Sequence, residues 1–181
     1  MKSKSKFSLL PILFVFFTFF IDCNLEAQEK SKKQLKEEQK LEKQKQIALL
    51  VESKEFVFIV NRVMPQSGRT INLTTEYSVE FHSERIKCDL PFFGRAYSGA
   101  GYGGTEGGII FEEIPTDYSI EKKEKKYLIR ANVRGDRDSY SMILTVYFEG
   151  SATLSVNSNN RSPISYDGNI ESFKKNDKTN N

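Results

Sequence analysis

Tyr140-Ser141-Met142-Ile143-Leu144-Thr145-Val146-Tyr147-Phe148 decides the fold. Tyr140, Met142, Leu144, Val146 and Phe148 share one phase of a period of two, with Ser141, Ile143, Thr145 and Tyr147 on the other. That period belongs to a β-strand, whose successive side chains point to opposite faces of a sheet. Glu149-Gly150 supplies a turn, and Ala152, Leu154 and Val156 answer with the same period, which predicts a hairpin. On the other side, Tyr127, Ile129, Ala131 and Val133 share a face and lead through Gly135-Asp136-Arg137-Asp138 into the opening stretch.

The pattern extends in both directions. Asn157-Ser158-Asn159-Asn160-Arg161 turns the chain into Ile164-Ser165-Tyr166. Upstream, Tyr118/Ile120 and Ile109-Ile110-Phe111 flank a turn around Pro115, and Lys122-Lys123-Glu124-Lys125 makes a charged hairpin tip. Tyr77, Val79 and Phe81 alternate with polar residues, as do Ile86, Cys88 and Leu90, and Ser83-Glu84 joins the two runs as a hairpin. Thr70-Ile71-Asn72-Leu73 makes a short strand after the turn Pro65-Gln66-Ser67-Gly68. Phe56, Phe58 and Val60 alternate with Val57, Ile59 and Asn61, so this strand is apolar on both faces and calls for cover on both. Many short strands without helical interludes predict a mainly β domain over 54–173, an antiparallel meander forming a small barrel or a sandwich. The large inward residues predict a filled interior.

Residues 28–53 contain no Gly or Pro and are rich in Lys, Glu, Gln and Leu, which predicts a charged helix or stalk. Its apolar residues gather at Ile47-Ala48-Leu49-Leu50-Val51, the turn and a half expected to dock on the β domain. Residues 1–27 pair Lys2, Lys4 and Lys6 with an apolar run from Phe7 to Ile21, the form of a secretory signal. Two exits compete, cleavage after Ala27 and lipidation of Cys23, and either stations the domain outside the cytoplasm, in the periplasm or at the outer membrane. The tail, 174–181, is polar and aperiodic, the composition of a disordered end.

The net charge of +3 comes from the two ends: from Lys54 to Phe173 acidic residues slightly outnumber basic ones. A nucleic-acid partner therefore lacks its electrostatic footprint. His82 is the only histidine, which excludes a multi-histidine metal site, and it sits on the polar phase of its strand. No G-x-S-x-G elbow aims a serine at it. Gly99-Ala100-Gly101-Tyr102-Gly103-Gly104 matches G-x-G-x-x-G, but a strand rather than a helix follows, so no nucleotide site is expected and nothing calls for a cofactor. Cys88 lies on an inward phase and reads as a small buried hydrophobe.

Recognition character gathers in one place, the long connection from Leu90 to Gly108. Phe92, Phe93, Arg95, Tyr97 and Tyr102, joined by Arg161 and Tyr166 from the later loop, combine flat amphipathic rings with guanidinium donors, the residue types that dominate binding hot spots. Against this stands a structural reading, with Phe92 and Phe93 plugging one end of the barrel and arginine satisfying carbonyls. Three segments, Pro65-Gln66-Ser67-Gly68-Arg69, Leu90-Pro91-Phe92-Phe93-Gly94-Arg95-Ala96-Tyr97 and Ser155-Val156-Asn157-Ser158-Asn159-Asn160-Arg161, together resemble domain-of-unknown-function family 4251, exported proteins of the Bacteroides group. The resemblance implies an envelope location and a mostly β domain after an N-terminal helix; it brings no reaction or ligand. The expectation is a non-enzymatic envelope module that binds an unknown protein or small molecule through the aromatic-arginine loop, touching membrane only through a lipid anchor. A lipocalin-like carrier of an apolar ligand and a hydrolase using His82 are the alternatives.

Overall fold

The structure is a computed structural model of the 181-residue chain and describes residues 10–66, 68–97, 107–135 and 138–173, with side chains from residue 31 onward. Tyr102 and its glycine-rich surroundings, residues 1–9 of the expected export signal and the 174–181 tail lie outside the described residues, as do the side chains of Cys23 and Ala27. Two compact units divide the chain, Met1–Glu42 and Lys43–Asn181. Helix α1 spans Leu10–Ser53. In the first unit its described side chains are all exposed, including Leu35 and Leu41, as a Lys/Glu/Gln-rich sequence requires.

The second unit contains the end of α1 and nine strands among the described residues: β1 (Phe56–Pro65), β2 (Ile71–Phe81), β3 (Ile86–Leu90), β4 (Ile109–Glu113), β5 (Asp117–Lys122), β6 (Lys126–Arg134), β7 (Ser139–Tyr147), β8 (Ser151–Ser158) and β9 (Ile164–Glu171). They form one antiparallel sheet in the order β4-β3-β2-β1-β9-β8-β7-β6-β5, curled into a half-barrel. The curl brings Phe111 of β4 onto Tyr140 of β7, with ring centroids 5.2 Å apart although the strands stand far apart in the order. Alternating directions leave β4 and β5 pointing the same way in the sheet, so the residues between them do not turn a hairpin. Glu113 still pairs with Ile86 of β3, while the Thr116 N–H already donates to the Asn132 carbonyl of β6 at 2.8 Å. The Pro115 segment thus hands one strand path from the first edge of the sheet to the last. A turn was the expectation there; the physical reason for the handover is that an edge left by a curled sheet finds its partners on the opposite edge.

The inward phase matches the sequence pattern. Phe56, Phe58, Val60, Val79, Phe81, Ile86, Leu90, Tyr127, Ile129, Met142, Leu144, Leu154 and Ile170 are buried together, and Cys88 is buried among them. Burial pushes the Cys88 thiol well up, which suits an inert core residue. Ile47 and Val51, one helical turn apart, join this same cluster. The helix end therefore covers the inner face, and Val57 and Ile59 remain half-buried on the outer face that cover was expected for. Burying each of the two helical side chains contributes about 1.5–3 kcal/mol. Gly150, at φ +93°, makes room for the docking: a Cβ there would lie 3.0 Å from the Ile47 side chain.

β1 carries the one irregularity that reshapes the sheet. Val60 pairs with Gly168 and Arg62 with Asp167, so Asn61 is an extra residue opposite β9. Opposite β2, Val60 pairs with Tyr77 but Arg62 with Asn72, so the two short runs expected around Leu73 and Tyr77 are one strand with a bulge between them. Val60 and Val63 both point inward, and Asn61 and Arg62 are consecutively exposed.

His82 begins the β2–β3 turn, where its N–H donates to Arg85 at 2.9 Å. Its Nδ1 lies 3.4 Å from Glu55 and its Nε2 3.3 Å from Glu80, with the Phe173 ring stacked at 4.8 Å. The Ser83 N–H donates to Glu55 and, with His82, holds that carboxyl below the usual carboxylate range. Burial raises Glu80, but hydrogen bonds from Lys87 and His82 outweigh it and the net shift is downward. Carboxyls depressed on folding stabilise fully above their unfolded values and lose that contribution as pH falls through the folded ones, so this corner weakens from about pH 5 downward. Urea midpoints measured between pH 7 and pH 3 should fall less in Glu80→Gln than in the parent chain. Parallel curves for the two proteins would contradict this account.

Candidate functional site

The loop after β3 is held to the loop between β8 and β9 by a short antiparallel ladder. Ala96 bridges Arg161, the Tyr97 N–H donates to the Asn160 carbonyl at 2.7 Å, and the Ser162 N–H donates to the Arg95 carbonyl at 2.9 Å. The Arg95 N–H in turn donates to the Ser162 hydroxyl at 3.0 Å. A connection that carries its own backbone ladder is a fixed platform, since its polar groups are satisfied by protein.

The sequence-predicted residues divide between the two sides of that platform. Phe92 faces in, packed against the core, with the Arg161 guanidinium 5.1 Å from its ring centroid. Arg161 donates from Nη1 to the carbonyls of Gly107 at 2.8 Å and Gly108 at 2.9 Å, so it closes the far end of the connection. Tyr166 is fully buried, and its hydroxyl donates to the Pro91 carbonyl at 2.9 Å. Burial pushes its phenol far up, with the nearby Cys88 adding to the effect, so it stays a proton donor. Tyr166 stands on the inward phase of β9, with its hydroxyl on the backbone of the loop above it, which is a structural placement for a residue expected in recognition. Phe92 and Arg161, both half-buried, are engaged by the core and by the carbonyls of Gly107 and Gly108.

Phe93, Arg95 and Tyr97 are exposed, at 46% for Phe93 and 67% for Tyr97. Among the described residues no side chain pairs with the Arg95 guanidinium. The chain bends at Gly94, and every residue from Phe93 to Tyr97 is exposed, so two rings and one cation lie on the solvent side of the loop. Tyr102 belongs to the same expectation but lies outside the described residues.

Sequence reasoning missed a second polar feature on the outer face, where Arg62 Nη2 lies 3.2 Å from Asp167 Oδ2 and Thr153 Oγ1 donates to Asp167 Oδ1 at 2.8 Å. The signal was present in Val60-Asn61-Arg62-Val63, where two polar residues between inward valines break the period of two.

Comparison with known proteins agrees with the geometry. The fold is similar to the crystal structure of a DUF4251 family protein from Bacteroides eggerthii, with a TM-score of 0.56 and 20% identity, covering 72% of this chain and 87% of that one. No curated protein matches the chain. The model of the domain of unknown function DUF4251 matches residues 38–170, from within α1 to the end of β9, and the chain belongs to that family.

Proposed function

We propose that this protein is a non-enzymatic component of the cell envelope that binds another protein through Phe93, Arg95 and Tyr97. The observation that carries the reading is the exposure of these three side chains on a backbone fixed by the Ala96–Arg161 ladder. Large rings on a rigid segment contribute contact area at low entropic cost, and a guanidinium that no described side chain engages adds directional donors. The signal-like pattern of residues 1–27 supports the envelope location, whether the chain is cleaved after Ala27 or anchored by lipid at Cys23. The inner face is filled by Phe56, Phe58, Phe81 and Tyr166, which weighs against a carrier of an apolar ligand. Among the described residues no hydroxyl or thiol is hydrogen-bonded to His82, which weighs against a hydrolase.

Site-specific photocrosslinking in the native envelope tests the proposal. A photoreactive residue at position 97 should give one discrete heavier species, and Arg95→Ala should reduce its yield about tenfold, as loss of one hot-spot residue does. The melting temperature should be unchanged in Arg95→Ala. A product unaffected by Arg95→Ala, or no product at all, would rule the loop out as the binding surface.

A further inference from the structure

The outer face above the β1 bulge carries a second, independent site. A groove of about 340 Å³ runs between β1, β9 and the β7–β8 end of the sheet, lined by Asn61, Arg62, Tyr147, Thr153, Asp167 and Asn169 among others. Ligand sites of this kind begin at roughly 300 Å³. The groove owes its chemistry to backbone geometry. The bulge turns two successive side chains, Asn61 and Arg62, to the same surface. Gly168 allows β9 to approach so closely that a Cβ there would lie 1.9 Å from the Ile59 carbonyl oxygen.

Each member has a defined capacity. Asp167 accepts from Arg62 and from Thr153, one bond on each oxygen, which fixes the carboxylate and leaves lone pairs on both oxygens. Among the described residues nothing engages the side chains of Asn61 or Asn169, so each amide keeps its donors and its acceptor. Tyr147, 38% exposed, adds a ring at one side.

We propose that this groove binds a short uncharged carbohydrate. Arg62 and Asp167 neutralise each other, so no excess charge calls for a phosphate or a carboxylate ligand. β1, β9, β8 and β7 are all interior strands paired on both sides, so no free backbone edge is available to add a peptide strand. The groups left free are amides, a fixed carboxylate and hydroxyls. These match neighbouring sugar hydroxyls, which both donate and accept, and the tyrosine ring suits the apolar face of a pyranose.

The test is an NMR titration of the full chain with cellobiose, maltose and N,N′-diacetylchitobiose at millimolar concentrations. At least one sugar should shift the amide signals of Asn61, Arg62, Asp167 and Asn169 and the side-chain NH₂ signals of the two asparagines. Asn169→Ala, an exposed change that leaves the ladder intact, should weaken that binding roughly tenfold, and Asn61→Ala should do the same. Tyr97→Ala should leave it unchanged, which separates this groove from the loop. The proposal is overturned if none of the three sugars moves these signals, or if the shifts persist undiminished in both asparagine variants.

Discussion

Gly168→Ala is expected to destabilise the domain by roughly 3 kcal/mol, at the upper end of what forced overpacking costs. The added Cβ would meet the Ile59 carbonyl oxygen at 1.9 Å, its carbon at 2.9 Å and the Phe58 ring at 3.0 Å. Two of those three atoms are backbone, so no side-chain rotation relieves the contact; β1 and β9 must separate. They are central strands, and Phe58 and Ile170, paired across them, are both buried in the core. Separation therefore spreads into the part of the sheet that joins its first half to its second. A loss of this size should lower the melting temperature by on the order of 10 °C, with a matching drop in urea midpoint. Gly135→Ala is the control, because its nearest contact is an ordinary 3.6 Å, and it should change stability by less than about 0.5 kcal/mol. A Gly168→Ala protein within about 1 kcal/mol of the parent would show that the bulge relaxes freely and that its shape is not imposed by the glycine.

The bulge also marks the limit of what strand alternation specifies. Alternation alone placed the inward residues of β6, β7 and β8, because each of these strands is regular and has one buried face. The docking of Ile47 and Val51 was legible from helical spacing, but not which face of the sheet they would cover. Val57 and Ile59 made the outer face look in need of cover, whereas a curling sheet leaves its inner side to be filled. The Pro115 segment has the composition of a turn, because proline usually makes one. Only the parity of strand directions, a property of the whole sheet, shows that the bend at Thr116 does not reverse the chain. Within the loop the composition singled out one group of residues, and their division into inward and outward sets follows from contacts between segments distant in sequence, Arg95 with Ser162, Arg161 with Gly107 and Tyr166 with Pro91.

Tyr166 separates the structural and recognition roles of that region most sharply. Tyr166→Ala is expected to cost about 3–5 kcal/mol, the range for truncating a buried aromatic residue. Tyr166→Phe keeps the packing and removes only the hydroxyl, leaving the Pro91 carbonyl without its donor, and should cost about 1–2 kcal/mol. The smaller change is the more informative one, since Pro91 is where the loop leaves β3. Amide exchange in Tyr166→Phe should quicken at Arg95 and Tyr97, whose N–H groups depend on the ladder with Ser162 and Asn160, while β6 and β7 keep their protection. Binding through Phe93, Arg95 and Tyr97 would then weaken as a consequence of loosening, together with the stability. Were Tyr166 a contact residue instead, Tyr166→Phe would reduce binding with the melting temperature and the exchange of the loop amides unchanged, an outcome its full burial does not allow.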